Sequence, residues 1–380
     1  MNLFARSFVV IAAAALSCGA ASAQAIKIAG IYELSGAGAS AGTMFKNGVE
    51  LAVKEINAAG GIMGRKLEHS AADTQTNPGV AKGLATKAID DNVFAVFGPV
   101  FSGSIMVSMA ETRRAEVPNF TGGEAASITK QGNPYIFRTS FTQDTAMPKV
   151  ARYIATGLKA KNVAVMFVNN DFGKGGRDAI TKALTDLGVK VVADVSTDSG
   201  QVDFSAPVLK AKQSNADAIF VYLNEEESAR ALRELRKQGV AKPIVGETTL
   251  TGQKVIDLAG DAANGAVAHV GLTVDAPHPL MLKFKAKFYQ ATKTISDHNG
   301  IKGYTGVYLL KAAIEKAGKV DRKAVVAALH GLNVKAGKEP GVIFDVSIDD
   351  KGDLDRESFI VEVKAGKQEV KEVLPALGKK

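Results

Sequence analysis

Val93-Phe-Ala-Val-Phe-Gly-Pro-Val-Phe-Ser-Gly-Ser-Ile-Met106 is the stretch whose reading decides the fold class of this chain. Val93 to Phe97 is a short apolar run, Gly98-Pro99 breaks it, and Ser102-Gly103-Ser104 opens a helix. A buried strand, a turn and a fresh helix start are the parts of an α/β crossover. The first backbone N–H groups of a helix have no internal acceptor, and the helix dipole adds partial positive charge there. With a hydroxyl and a glycine beside them, such groups suit a carboxylate or phosphate. The plainer alternative is that Ser102 or Ser104 is only an N-cap.

The same alternation extends in both directions. Ile26 to Tyr32 reads as a first strand, Ser35 to Gly42 as a loop, and Met44 to Ala58 as a helix stopped by Ala59-Gly60-Gly61. A strand over 65–72 ends at Asp73, and Asn77-Pro78 starts a helix to about Asp91, with proline at its favoured first position. Val117 to Phe120 leads into the loop Thr121 to Ser127. The pattern restarts near Tyr135, with strands over 163–168, 189–195, 218–222 and 243–246 separated by helices. One of those helices spans 225–238. Two rounds of alternation predict two parallel-sheet lobes with helices on both faces. Beyond Val274 the spacing predicts helices over 279–293, 302–317 and 321–330, then strands over 341–345 and 358–363.

The chain begins with a positive start through Arg6, an apolar run from Phe8 to Leu16, and Ala21-Ser22-Ala23. That is the pattern of a secretory signal peptide, with cleavage expected after Ala23. A lipoprotein anchored at Cys18 is poorly matched by the preceding Ala15-Leu16-Ser17. Cys18 is the sole cysteine, so the mature chain would hold neither a disulfide nor a thiol nucleophile. With 46% hydrophobic and 23% charged residues, the remainder can build large cores in two domains of ordinary size. The net charge of +8 is spread among acids with no Arg-rich run, which argues against nucleic-acid binding.

Catalytic patterns are weak. Gly38-Ala-Ser40-Ala-Gly42 matches G-x-S-x-G, which would make the chain a secreted serine hydrolase using Ser40, but none of the five histidines sits in a catalytic context. Gly36 to Ala41 resembles a dinucleotide fingerprint, yet the strand-end acid it needs, Asp73, lies too far along. Metal-ligand spacing is absent, and Asp349 to Asp353 reads as a turn. Glu225-Glu226-Glu227 opens a helix and reads as a solvated cap on its dipole. No catalytic set, cofactor or metal site is therefore expected. What recurs is loops at the C-terminal ends of strands: Ser35 to Gly42, Phe101 to Ser104, Thr121 to Ala125, Asp171 to Gly173, Asn224 and Glu247-Thr248. In open α/β sheets that edge binds ligands.

A set of local motifs occurs in order along the chain. They are Ile26-Lys-Ile-Ala-Gly with Leu34-Ser-Gly36, Val53-Lys-Glu-Ile-Asn-Ala-Ala-Gly-Gly-Ile62, Asp73-Thr-Gln-Thr-Asn-Pro78, Phe97-Gly-Pro, Asp171-Phe-Gly173 and Asp203-Phe-Ser205. By these the mature chain resembles the Leu/Ile/Val-binding protein family, the periplasmic solute receptors of branched-chain amino acid ABC transporters. The resemblance implies a type I periplasmic binding protein, an α/β fold of two Rossmann-like lobes with parallel central sheets joined by three crossovers. These are expected near 138–144, 271–277 and 340–354. The first lobe would take residues 24–140 and 273–342 and the second 141–272, with 343–380 holding a crossover and C-terminal strands.

The resemblance also implies a monomer that closes on a small-molecule carboxylate, docks at a membrane permease and catalyses nothing. The ligand carboxylate would meet Ser102, with main-chain and threonine contacts falling on Gly123 and Ala125, beside Phe101. The family's first-loop tyrosine falls on Ala41, the Tyr-Gly tyrosine on Phe172 and a second-lobe tyrosine on Asn224. The acid for the ligand ammonium falls on Thr248, with Glu247 next to it. A branched-chain or related amino acid is the first expectation; an amine-free aromatic or aliphatic carboxylate is the alternative.

Overall fold

The computed structural model describes residues 24–377, so the expected signal peptide lies outside the described residues. The first five strands alternate with helices as the apolar spacing requires: β1 (Ile26–Tyr32), α1 (Ala39–Ala58), β2 (Leu67–Asp73), α2 (Pro78–Asp90), β3 (Ala95–Phe97), α3 (Ser102–Arg114), β4 (Asn119–Thr121), α4 (Ser127–Lys130) and β5 (Ile136–Arg138). They form one sheet in the order β2-β1-β3-β4-β5, every pair parallel. Phe97, Phe120 and Phe137 sit in register on three neighbouring strands, and their rings meet at 5.0 and 5.7 Å between centroids. That aromatic row fixes the register, because a slip of one residue would turn all three rings to the other face. Gly98 then turns the chain off β3 at φ +88, where a Cβ would lie 2.4 Å from the Ile31 carbonyl oxygen.

The chain crosses at 139–142 into α5 (Gln143–Arg152), β6 (Asn162–Val168), α6 (Asp171–Asp186), β7 (Lys190–Thr197), α7 (Ser205–Gln213), β8 (Ala218–Tyr222), α8 (Glu225–Lys237), β9 (Ile244–Glu247), α9 (Gln253–Ala259) and β10 (Val267–Val270). It returns through α10 (Pro279–Thr292), α11 (His298–Ala317) and α12 (Arg322–Leu329). A small antiparallel sheet of β11 (Asn333–Val334), β12 (Val346–Ile348) and β13 (Leu354–Asp355) follows, before β14 (Ser358–Lys364) and β15 (Lys367–Leu374). The second large sheet has the order β15-β14-β10-β9-β8-β6-β7, parallel from β7 to β10, with β14 and β15 added antiparallel. Residues 358–374 thus belong to the second sheet, and the last passage between sheets falls at 356–357 rather than within 340–354.

Helix α11 is laid against α1 at unusually short range. A Cβ on Gly48 would lie 2.0 Å from the Gly300 carbonyl oxygen, and one on Gly303 would lie 2.1 Å from that of Phe45. Only glycine permits such backbone approach. The pairing carries the first turns of α11 to the C-terminal edge of the first sheet. This helix begins at His298, four residues before the expected start, with Asp297 accepting N–H bonds from Asn299 and Gly300 at 2.8 and 3.1 Å. The expected strand over 341–345 is a buried loop instead.

Candidate functional site

Between the two sheets' C-terminal edges lies a cavity of about 570 Å³. From the first lobe come Ala41, Phe101, Ser102, Gly103, Ser104, Gly122, Gly123 and Glu124; from the second, Phe172, Asn224 and Glu225; from α11, His298, Asn299 and Lys302. Six of the expected site residues therefore line one space: Ala41, Phe101, Ser102, Gly123, Phe172 and Asn224. Ala125, Glu247 and Thr248 do not.

The N-terminus of α3 faces this cavity without a cap. Phe101 occupies the N-cap position and no side chain bonds the first turn, so Ser102 and Ser104 are not serving as N-caps. The first intrahelical bond runs from Ile105 N–H to the Phe101 carbonyl at 3.1 Å, which leaves the N–H groups of Ser102, Gly103 and Ser104 for an incoming acceptor. Ser102 Oγ accepts the Ala125 N–H at 3.3 Å, so Ala125 orients the hydroxyl from behind the cavity wall. The preceding turn is pinned by Glu33, whose carboxylate accepts the N–H groups of Val100 and Phe101 at 3.1 and 3.0 Å. Burial pushes the Glu33 carboxyl up to about 7.

The loop 121–125 is held by Arg138, which is fully buried. Its guanidinium donates to the carbonyls of Gly123 at 2.6 Å and Ala125 at 3.0 Å, to Thr129 Oγ1 at 3.0 Å and to Asp353 at 2.7 Å. In the other lobe Phe172 stacks on Tyr222, ring centroids 4.1 Å apart, and Asn224 stands at the N-cap of α8 with no side-chain bond to it.

The acids are placed differently from the sequence expectation. Glu247 is buried behind the wall, accepting the Thr248 hydroxyl at 2.6 Å and lying 3.3 Å from His269 Nδ1. Burial drives the His269 imidazole down to about 3, so it is neutral, and it raises the Glu247 carboxyl. The acids lining the cavity are Glu124, Asp171 and Glu225, of which Asp171 is exposed and Glu124 and Glu225 are buried. Glu124 pairs with Lys302 at 3.0 Å; burial, with the nearby Glu247 charge, still lifts it to about 7. Glu225 and Glu227 are buried and only Glu226 is exposed, so the acidic triplet is not a solvated cap. Burial, with the nearby Asp297 and Glu227 charges, raises Glu225 to about 7 against the pull of its own backbone N–H and of the Lys302 charge. Sequence reasoning missed Glu124, Glu225 and Lys302 as site residues. The signal for Lys302 was Asp297 as an N-cap together with glycines at 300, 303 and 306, three apart on one helix face.

Ser40 lies in the first turn of α1 outside the cavity lining, and none of the described histidines bonds to it. The sequence profile of a family described as periplasmic binding protein matches residues 25–368. The chain belongs to that family. As a periplasmic binding protein it is 31% identical over 337 residues to the Leu/Ile/Val-binding protein BraC3 of Rhizobium johnstonii, spanning 88% of this chain and 90% of that one. The substrate-binding protein LivJ of Streptococcus pneumoniae, solved in complex with isoleucine, superposes with a TM-score of 0.83 at 26% identity, covering 92% of this chain and 99% of its own. A solute-binding protein of an R. palustris ABC transporter, solved with 4-hydroxybenzoate, has the same fold, with a TM-score of 0.85 at 24% identity, covering 93% of this chain and 98% of its own. The protein is thus an extracytoplasmic solute-binding protein with two lobes of type I periplasmic binding protein architecture.

Proposed function

We propose that this receptor binds an aliphatic amino acid of the branched-chain kind in the interlobe cavity and delivers it to the membrane permease of an ABC importer. Residues 1–23 act as the signal peptide, and the mature chain works as a monomer without catalysis. The observation that carries the reading is the charge pattern of one cavity. An uncapped helix N-terminus with Ser102 suits a carboxylate, and the buried Glu225, whose carboxyl stays raised despite the nearby Lys302 charge, suits an ammonium. A zwitterion satisfies both, and the amino acids for which BraC3 is named and with which LivJ was solved are of that class. Phe172 and Ala41 leave an apolar wall for the side chain. Glu225 takes the role that the resemblance gave to the position of Thr248, since Glu247 and Thr248 stand behind the wall.

Closure of the lobes on ligand is the motion expected of such receptors. A second reading, an amine-free carboxylate, is favoured by one feature: a Glu225 with its carboxyl near 7 can be neutral and so tolerate an uncharged neighbour. Calorimetric titration at pH 8 with leucine and with 4-methylpentanoate, its amine-free analogue, separates the two. Leucine is expected to bind the more tightly; tighter binding of 4-methylpentanoate would sink the amino-acid reading. Ser102→Ala is expected to weaken binding of either acid by about 1 to 3 kcal/mol, the usual worth of a hydrogen bond to a charged group. An unchanged affinity would remove Ser102 from the carboxylate end.

A further inference from the structure

Lys302 is the one lysine or arginine among the described residues lining the cavity. Its side chain is only 5% exposed. The ammonium donates to Glu124 Oε1 at 3.0 Å and to the Gly122 carbonyl at 3.3 Å, which leaves one of its three N–H donors with no acceptor among the described residues. Gly122 and Glu124 belong to the loop that meets Ser102 through the Ala125 N–H, so the cation is bonded to the loop that borders the carboxylate end, while its charge also reaches Glu225. A buried ion pair kept for structure alone would be closed off and fully bonded, since half-satisfied buried charges are costly. Here both partners border the ligand space. The partner is also a poor one, because burial and Glu247 disfavour the ionised form of Glu124. The lysine is held rigidly: Asp297 caps its helix, and the glycines of α1 and α11 lock the two backbones together.

We propose that Lys302 determines specificity for the ligand's negative charge, forming an ion pair with its carboxylate beside Ser102, while Glu124 is its counter-ion within the protein. The inference rests on the reading that the ligand carries a carboxylate at the α3 end. It adds that the charge of that group, and not only its hydrogen-bonding shape, is selected. A neutral amide of the same shape is therefore refused.

The test is calorimetric titration of the wild-type chain and the Lys302→Met, Lys302→Arg, Glu124→Gln and Lys302→Met/Glu124→Gln variants at pH 8, with leucine, leucinamide and 4-methylpentanoate as probes. The wild type is expected to prefer leucine strongly over leucinamide. Lys302→Met is expected to lose roughly 10- to 100-fold in affinity for the acids, the range of a charge-assisted bond, and to bind leucinamide no worse than before. Lys302→Arg, which keeps the charge, is expected to recover part of the loss. The double variant decides the role. If Lys302 only neutralises Glu124, removing both charges restores wild-type affinity for leucine, and that result would overturn the proposal. Continued weakness of the double variant, with its fold verified by circular dichroism, supports it. Should 4-methylpentanoate bind but leucine not, the amino-acid reading fails while the Lys302 comparison proceeds on 4-methylpentanoate. A wild-type chain that binds neither acid overturns both.

Discussion

Arg138→Met is expected to lower the unfolding free energy by about 3 to 5 kcal/mol, the usual result of removing one partner from a buried charged cluster. Arg138 stands at the end of β5, where the chain leaves the first sheet, and its guanidinium collects four acceptors. Methionine fills much of the volume but donates nothing. The carbonyls of Gly123 and Ala125 would lose their guanidinium donors, and Asp353, which is 18% exposed at its side chain, would lose its ion-pair partner. Each buried polar group without a partner is worth about 1 to 3 kcal/mol. The effect also reaches the ligand. The segment that Arg138 clamps carries the Ala125 N–H that orients Ser102 and the Gly122 carbonyl that steadies Lys302. Denaturant unfolding and leucine titration should therefore both deteriorate in this variant. Adding Asp353→Asn should cost less than the two single changes predict, because the partners share one network. A stability loss under about 1 kcal/mol with ligand affinity unchanged would show that the cluster neither supports the lobe nor positions the loop.

The sequence made the first lobe's half of the cavity readable because its parts are local. Strand, turn and helix start follow one another over Val93 to Met106, so periodicity and glycine placement suffice to put Ser102 at a helix N-terminus. The same logic finds Phe172 and Asn224 at strand ends of the second lobe. Long-range packing hid the rest. Asn299-Gly300 has the composition of a turn, yet both residues are helical because α1 accepts the bare glycine backbone at Gly48. The first turn of α11, residues 298–301, is thus missing from the expected helix over 302–317, which puts Lys302 at a helix start instead of a full turn inside it. Val342-Ile-Phe344 is apolar enough for a strand, but it fills a buried loop, and the pairing strand is Val346–Ile348. Hydrophobicity reports burial without reporting which backbone groups are paired. The triplet Glu225 to Glu227 looks solvated in one dimension. It is buried because residues far along the chain, at 297–302, close over the N-terminus of α8.

Glu225→Gln is expected to act in opposite directions on stability and on binding. The Glu225 carboxyl is raised by burial from 4.5 to about 7, which corresponds to an ionisation penalty on the order of 3 kcal/mol. Below pH 4.5 the group is protonated whether the chain is folded or not, and it takes nothing from stability. Between pH 4.5 and about 7 the unfolded chain gives up this proton first, so the folded state loses ground as pH rises, and the loss is complete above about 7. Glutamine does not ionise. The variant should match the wild type at pH 4 and exceed it at pH 8 by up to that penalty, read as the difference between denaturant midpoints across the range. Comparing the two chains at each pH cancels the contributions of Glu33, Glu124 and the neutral buried histidines, which titrate in both. Binding should move the other way. Glu225 shares the Lys302 charge with Glu124 and Glu247, so a leucine ammonium adds a counter-charge of its own, and glutamine forfeits that ion pair in a low-dielectric cavity. Leucine affinity should fall roughly 10- to 100-fold, and the gap between leucine and 4-methylpentanoate should narrow. A stability difference that does not change with pH would mean that the carboxylate is solvated. Leucine affinity held at the wild-type value would mean that another group receives the amine, with Glu124 the other buried acid on the cavity wall.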